Sequence, residues 1–138
     1  MGKIMAIDFG RKRTGIAVTD DFQIIASGLD TVETPSLMNF LHQYFAENQV
    51  EEVVIGLPID LKGNLSEIET DIRKFIGDFE TQFPGITVHR LDERFTSKIA
   101  SFFISQSGKS KKKRQDKSLI DKVSATLILQ NFLENKQR

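Results

Sequence analysis

The order of the short apolar segments is the feature of this sequence that most restricts its fold. Three such segments open the chain, at residues 3–8, 14–19 and 23–29. The stretches between them, 9–13 and 20–22, are short and together contain five charged residues and one glycine. Apolar runs of this length joined by turn-forming residues are typical of antiparallel hairpins. The start of the chain therefore predicts a three-stranded antiparallel meander.

After this meander the apolar spacing alternates between the helical and the extended period. Thr34 and Ser66 are predicted to cap two of the helices, Ser66 through a capping box with Glu69, and Pro35 would occupy the first helical position. The predicted elements are, in order, a helix, a strand, a helix, a strand and two helices, at 35–45, 52–56, 66–83, 86–91, 96–107 and 118–133.

Three antiparallel strands followed by helix–strand alternation predict an α/β fold with a mixed five-stranded sheet flanked by helices. The fourth and fifth strands should arrive by right-handed crossovers and run parallel to the first. This order of elements is similar to that of ribonuclease H-like proteins, whose usual strand order is 3-2-1-4-5. We therefore expect that strand order here.

The composition excludes several kinds of protein. Of 138 residues, 39% are hydrophobic and 28% are charged, as in globular domains and unlike disordered segments. Because cysteine is absent, the chain forms no disulfide, zinc–thiolate site or cysteine nucleophile. No apolar run approaches the roughly 20 residues that cross a bilayer, and the first residues lack the apolar core of a signal peptide. We expect a single domain over residues 1–138, in the cytoplasm and without a membrane partner.

The charges are unevenly distributed although the net charge is zero. Residues 109–117 contain six basic residues and one acidic residue, which leaves 13 basic and 18 acidic residues elsewhere. A short basic segment on an acidic protein indicates local contact with a polyanion, although a solvated loop would have the same composition. If the segment binds nucleic acid, the residues that contact phosphates are Lys109, Lys111, Lys112, Lys113 and Arg114.

Carboxylates are the strongest candidates for catalysis. Asp8 ends the first predicted strand, and Asp121 lies in the first turn of the last predicted helix. Asp92 and Glu93 directly follow the fifth strand, at the sheet edge where ligand sites are favoured. Converging acids repel one another and need a cation, and hard divalent ions such as Mg²⁺ or Mn²⁺ supply one. Two such ions can support phosphodiester hydrolysis.

Each acid also has a structural explanation that the sequence leaves open. Asp8 could end its strand in an Asx turn, Asp92 and Glu93 could cap the next helix, and Asp121 could belong to a capping box. The segment 8–15 also resembles the phosphate loop of sugar kinases and actin-like ATPases. Those enzymes enclose a nucleotide between two such domains, and this chain is long enough for one.

Four sequence blocks resemble the YqgF family, also described as RuvX-like Holliday junction resolvases or pre-16S rRNA nucleases. They are DFGRKRTGIAVTD at 8–20, GLP at 56–58 with Gly63, DERFTS at 92–97, and the segment 120–133. The resemblance covers about residues 3–134, and four blocks in the family's order are a specific match. It implies a ribonuclease H-like fold and a metal-dependent nuclease.

The resemblance also assigns roles to single residues. The catalytic and metal-binding acids of the family map to Asp8, Glu93 and Asp121. Of the two acids after the fifth strand, we choose Glu93 because it matches the family and has the longer side chain. Arg13 and Arg94 match basic family positions near the site, where they would bind nucleic acid.

Three functions follow as hypotheses. The first is a Mg²⁺- or Mn²⁺-dependent nuclease that processes the 5′ end of pre-16S rRNA in ribosome biogenesis, with structured RNA as its partner. The second is a Holliday junction resolvase acting on branched DNA, which would need a homodimer to cut two strands. The third, of another class, is a nucleic-acid-binding protein without catalytic activity.

Overall fold

The computed structural model describes residues 2–59, 62–93 and 117–136, and the helix predicted at 96–107 lies outside these ranges. No helix in the described ranges combines the length and apolar character needed to cross a membrane. The elements are β1 (Lys3–Asp8), β2 (Arg13–Thr19), β3 (Ala26–Glu33), α1 (Leu37–Glu47), β4 (Val50–Leu57), α2 (Glu69–Gln82), β5 (Thr87–Asp92) and α3 (Lys117–Lys136), with a 3₁₀ turn at Thr34–Ser36 before α1.

The strands form one sheet in the order β3-β2-β1-β4-β5, which confirms the predicted order. β2 pairs antiparallel with both β1 and β3, whereas β4 pairs parallel with both β1 and β5. Because β1, β4 and β5 run in the same direction, their carboxyl ends meet at one edge of the sheet. That edge therefore collects Asp8, Leu57 and Asp92 from three separate parts of the chain.

The two faces of the sheet are buried by different helices. Met5 and Ile7 of β1 enter a cluster with α1 and α2, while Ile4 and Ala6 enter a second cluster with α3. Successive strand residues point to opposite faces, so both faces of β1 are apolar and each fully buried isoleucine contributes roughly 1.5–3 kcal/mol. The same alternation puts Asp8 on the α3 side of the sheet.

The structure begins the third strand at Ala26, later than the apolar pattern predicts. The Asp20 carboxylate accepts hydrogen bonds from the backbone N–H groups of Phe22, Ile24 and Ile25, over 3.0, 2.9 and 2.7 Å. These bonds fold the segment into a loop that keeps the three apolar side chains exposed. They also lower the pKa of Asp20.

Two predicted helix caps are wrong. The Thr34 hydroxyl donates to the Gly10 carbonyl and does not cap α1. The capping box of Ser66 and Glu69 does not form, because the Glu69 carboxylate accepts hydrogen bonds from Arg90 of β5. In both cases local spacing predicts that the polar side chain bonds to the helix end, but the side chain forms its hydrogen bond with a residue distant in sequence instead.

Candidate active site

The side chains of Asp8 and Glu93 are hydrogen-bonded to each other at the carboxyl edge of the sheet. Burial raises the pKa of Asp8 well above its ordinary value, and the nearby charges of Glu93 and Asp121 raise it further. Burial also raises the pKa of Glu93, although the hydrogen bond with Asp8 and the charge of Arg90 oppose the rise. Two carboxyls held this closely share a proton unless a cation balances their charge.

Glu93 reaches Asp8 because Gly56 has no side chain. β4 lies between β1 and β5, so Glu93 must extend over β4 to cross a gap of about 10 Å between the outer strands. A Cβ atom at Gly56 would overlap Cδ and Oε2 of Glu93 and lie 2.6 Å from its Cγ. The Glu93 N–H also donates to the Leu57 carbonyl over 3.0 Å. The end of β4 therefore holds the backbone of Glu93 and leaves space for its side chain.

Asp121 faces this pair from α3. Gly15 of β2 lies opposite Asp8 in the sheet, and a Cβ atom at Gly15 would overlap the carbonyl group of Asp121 and lie 3.1 Å from its Cβ. The backbone of α3 therefore rests directly on β2 beside Asp8. Within residues 2–59, 62–93 and 117–136, no three acidic or histidine side chains are placed to hold one metal ion. Asp8, Glu93 and Asp121 are therefore neighbours, but in this structure their carboxylates do not surround a single point at which all three could bind one ion.

Replacing Gly15 with alanine should destabilise the protein, because the added methyl group meets backbone atoms that cannot move aside alone. Overpacking of this kind typically costs about 1–3 kcal/mol. We expect the free energy of unfolding in urea to fall by about 2 kcal/mol, whereas Gly85→Ala, with no atom within 4 Å of the added carbon, should be near neutral. A Gly15→Ala variant within about 0.5 kcal/mol of the native chain would contradict this packing.

Arg13 borders the acids at the start of β2. Its Nε atom lies 3.5 Å from Oδ2 of Asp121, and this buried Nε has no hydrogen-bond partner among the described residues. The pair is therefore an ion pair without a hydrogen bond. A buried donor that lacks an acceptor is costly and uncommon, so an acceptor from a ligand would complete the site here.

Residues 2–135, which include the whole sheet and all but the last residue of α3, match the family model described as "RuvX: Holliday junction resolvase". The chain belongs to the RuvX family. It is 52% identical over 137 residues to a protein of Flavobacterium johnsoniae, with 99% of both chains covered. It is 49% identical over 138 residues to a protein of Porphyromonas gingivalis, with both chains fully covered. Both relatives bear the name "Putative pre-16S rRNA nuclease".

The fold of this RuvX-family chain is similar to that of a more distant protein. A structure of T. thermophilus RuvC in complex with a Holliday junction substrate matches with a TM-score of 0.55 and 15% identity, covering 99% of this chain and 96% of that chain. A second Thermus thermophilus RuvC structure matches with a TM-score of 0.52 and 13% identity. The likeness confirms the predicted ribonuclease H-like fold.

The residues that the sequence proposed for this RuvX-family site are distributed as follows. Asp8, Glu93, Asp121 and Arg13 lie together at the sheet edge, while Asp92 is exposed at the end of β5. The remaining candidates lie outside the described residues: Arg94, Lys109, Lys111, Lys112, Lys113 and Arg114. The structure thus brings Asp8, Glu93 and Asp121 together, while residues 109–116 of the basic segment lie outside the described residues.

Sequence reasoning missed three basic residues near the site. Arg11 and Lys12 line an open groove together with Arg13, and the basic run at 11–13 was the available signal. Arg90 lies on β5 and binds both the end of β4 and the start of α2. Its signal was an arginine between the two apolar residues Val88 and Leu91 of β5, and the apolar period alone assigns no role to such a residue.

Proposed function

We propose that this chain is a divalent-metal-dependent nuclease that processes the 5′ end of pre-16S rRNA, as one cytoplasmic domain over residues 1–138. The observation that carries the proposal is the contact between Asp8 and Glu93, with Asp121 beside them. Three acids from distant parts of the chain meet at a sheet edge in a RuvX-family fold. Relatives that are 44–52% identical to this chain bear the name "Putative pre-16S rRNA nuclease", which supports pre-16S rRNA as the substrate.

The donor chemistry of the three acids fits Mg²⁺ or Mn²⁺. Carboxylate oxygens are the hard ligands that these ions prefer, and the raised pKa values of Asp8 and Glu93 mean that two uncompensated charges are unfavourable there. We assign Asp8, Glu93 and Asp121 as both the metal ligands and the catalytic residues. When bound, the ion supplies stabilisation of the charge that develops on the phosphate oxygens and acidifies a water molecule.

The chain's own residues prepare this chemistry in two ways. The raised pKa values of Asp8 and Glu93 favour a shared proton in the metal-free pair, and the pair must release that proton to ligate a cation. Arg13 balances the charge of Asp121 at 3.5 Å, and its buried Nε–H is available for a phosphate oxygen. A charge-assisted bond to phosphate would fix the scissile group beside the acids.

Basic residues extend the proposed contact with nucleic acid away from the acids. The groove at the β1–β2 turn presents Arg11, Lys12 and Arg13. Contacts to phosphates position a strand without reading its sequence, which suits a substrate chosen by its shape. We propose that Arg94 and the basic segment take part in the same binding, through Lys109, Lys111, Lys112, Lys113 and Arg114.

A Holliday junction resolvase is the second candidate. The description of the family model names that activity, and the RuvC neighbour was determined with a Holliday junction. Resolution requires two symmetric cuts, so this function would need a homodimer. A chain that stays monomeric with bound junction would exclude it.

A substrate comparison tests the proposed function. The purified chain is incubated with a labelled RNA carrying the 5′ extension of pre-16S rRNA, with a matched RNA lacking it, and with a four-way DNA junction. We expect Mg²⁺- or Mn²⁺-dependent removal of the extension, at least tenfold more efficient than any cleavage of the other two. Preference for the junction would establish the resolvase. Binding of RNA without cleavage under any divalent ion would support the non-catalytic hypothesis.

A further inference from the structure

Arg90 connects three elements directly beneath the proposed site. Its guanidinium donates to the Ile55 and Gly56 carbonyls at the end of β4, over 3.2 and 3.0 Å. The same group donates to both carboxylate oxygens of Glu69 at the start of α2, over 2.6 and 3.0 Å. A planar fork of donors can satisfy these acceptors at once, which a lysine ammonium cannot do.

Glu69 makes this connection rigid. The residue is 4% exposed, and its charge is balanced by Arg90 and by Arg73, whose Nε lies 3.0 Å away. The hydrogen bonds from Arg90 lower the pKa of Glu69, so the carboxylate stays ionised against the guanidinium. Charge-assisted, two-point pairs of this kind are shorter and stronger than neutral hydrogen bonds.

The carbonyls that Arg90 holds belong to the same strand end that holds Glu93. Gly56 provides the space that the Glu93 side chain occupies, and the neighbouring Leu57 carbonyl accepts the Glu93 N–H over 3.0 Å. A displacement of residues 55–57 would therefore move both the backbone and the side chain of Glu93. The hydrogen bonds of Arg90 within the described chain go to this strand end and to Glu69, and not to the acids of the site. Its charge also lowers the pKa of Glu93, and Arg90→Lys, which keeps that charge, separates this electrostatic effect from the hold on β4.

We propose that Arg90 is a positioning residue that fixes the end of β4 against α2 and thereby holds Glu93 beside Asp8. The inference rests on the proposed function for its activity measurement alone, because the position of Glu93 can be followed without catalysis. Arg73→Met is the matched control: it also removes an arginine from Glu69, but the recorded hydrogen bonds of Arg73 within the described chain go to Glu69 and not to β4.

The direct test is hydrogen exchange of the Glu93 amide, measured by NMR on the full chain. In Arg90→Met, the Glu93 amide should exchange at least tenfold faster, whereas the amide of Ile16 in β2 should change little. Arg90→Lys keeps a positive charge beside Glu69 but lacks the planar set of N–H donors that reaches both Glu69 and β4. The Glu93 amide should therefore also exchange faster in this variant. In Arg73→Met it should not. Equal acceleration at Glu93 and Ile16 would mean a general loss of stability and would overturn the proposal.

Two further measurements connect the position of Glu93 to function. In Arg90→Met and Arg90→Lys, kcat should fall about 10–100-fold, as for residues that orient metal ligands, with KM within about threefold. The affinity for Mn²⁺, measured by calorimetry without substrate, should fall by a similar factor. Native kcat and Mn²⁺ affinity in both variants would overturn the proposal. A native chain that binds Mn²⁺ but cleaves no RNA would refute the proposed function while the exchange data still decide the role of Arg90.

Discussion

Replacing Gly56 with alanine should greatly reduce nuclease activity while leaving the fold intact. The added Cβ would overlap Cδ and Oε2 of Glu93 and lie 2.6 Å from its Cγ. All three atoms belong to the outer part of a flexible side chain, so Glu93 can swing away without distorting the sheet. The carboxylate would then no longer reach Asp8. Losing one metal ligand removes about 4 kcal/mol of transition-state stabilisation, or about a thousandfold in rate.

The measurement is kcat/KM for the pre-16S substrate in Mg²⁺, together with unfolding in urea. Gly77→Ala is the control, because no atom lies within 4 Å of its added carbon. That variant should keep full activity and gain up to about 1 kcal/mol from helix propensity. Activity of Gly56→Ala within tenfold of the native chain would show that Glu93 does not need the space above β4.

Replacing Asp8 with asparagine should stabilise the metal-free protein at neutral pH. The pKa values of Asp8 and Glu93 are raised in the folded chain, so the folded state binds more protons than the unfolded state above the ordinary carboxyl pKa. Their contribution to stability is therefore complete below that ordinary pKa and is lost as the pH rises through the raised values. The asparagine side chain carries no charge and can donate a hydrogen bond to an ionised Glu93.

The measurement is the Tm of both proteins in EDTA between pH 5 and pH 8. The difference should favour Asp8→Asn increasingly as the pH rises, reaching roughly 3 °C or more at pH 8. Comparing two variants is necessary because Glu69, whose pKa is lowered, loses its contribution as the pH falls. Mn²⁺ at a hundred times its Kd should stabilise the native chain by about 2.7 kcal/mol and Asp8→Asn far less. A pH-independent difference would contradict the shared proton.

The order of elements and the parallel direction of β4 and β5 could be predicted from the apolar runs and the handedness of crossovers, whereas the strand order was expected from the similarity to ribonuclease H-like proteins. Asp8, Asp121 and the pair Asp92–Glu93 could be proposed because each stands at the end of a strand or the start of a helix, and the family resemblance and the longer side chain favoured Glu93 over Asp92. What local spacing could not provide is how Glu93 crosses β4. Glu93 can cross β4 because Gly56 has no Cβ atom. This could be recognised only once β1, β4 and β5 were placed side by side in the sheet.

The wrong predictions have a common physical cause. Local rules assign Thr34 and Glu69 to helix ends, but each side chain binds a partner that is near only in the folded chain. The third strand is predicted too early because Ile24 and Ile25 are apolar, whereas three hydrogen bonds to Asp20 decide the local backbone. Hydrogen bonds to residues distant in sequence compete with local ones, and the spacing of residues along the sequence does not show which of them will form.

The most direct test of the central claim is the single-turnover cleavage of the pre-16S 5′ extension by the native chain and by Asp8→Asn in saturating Mg²⁺. Asp8 is the acid whose pKa responds to both of the others, so the proposed chemistry cannot proceed without its carboxylate. We expect the native chain to remove the extension and Asp8→Asn to be slower by about a thousandfold, the rate equivalent of about 4 kcal/mol. Cleavage by Asp8→Asn at the native rate would contradict the account and place the nuclease chemistry elsewhere.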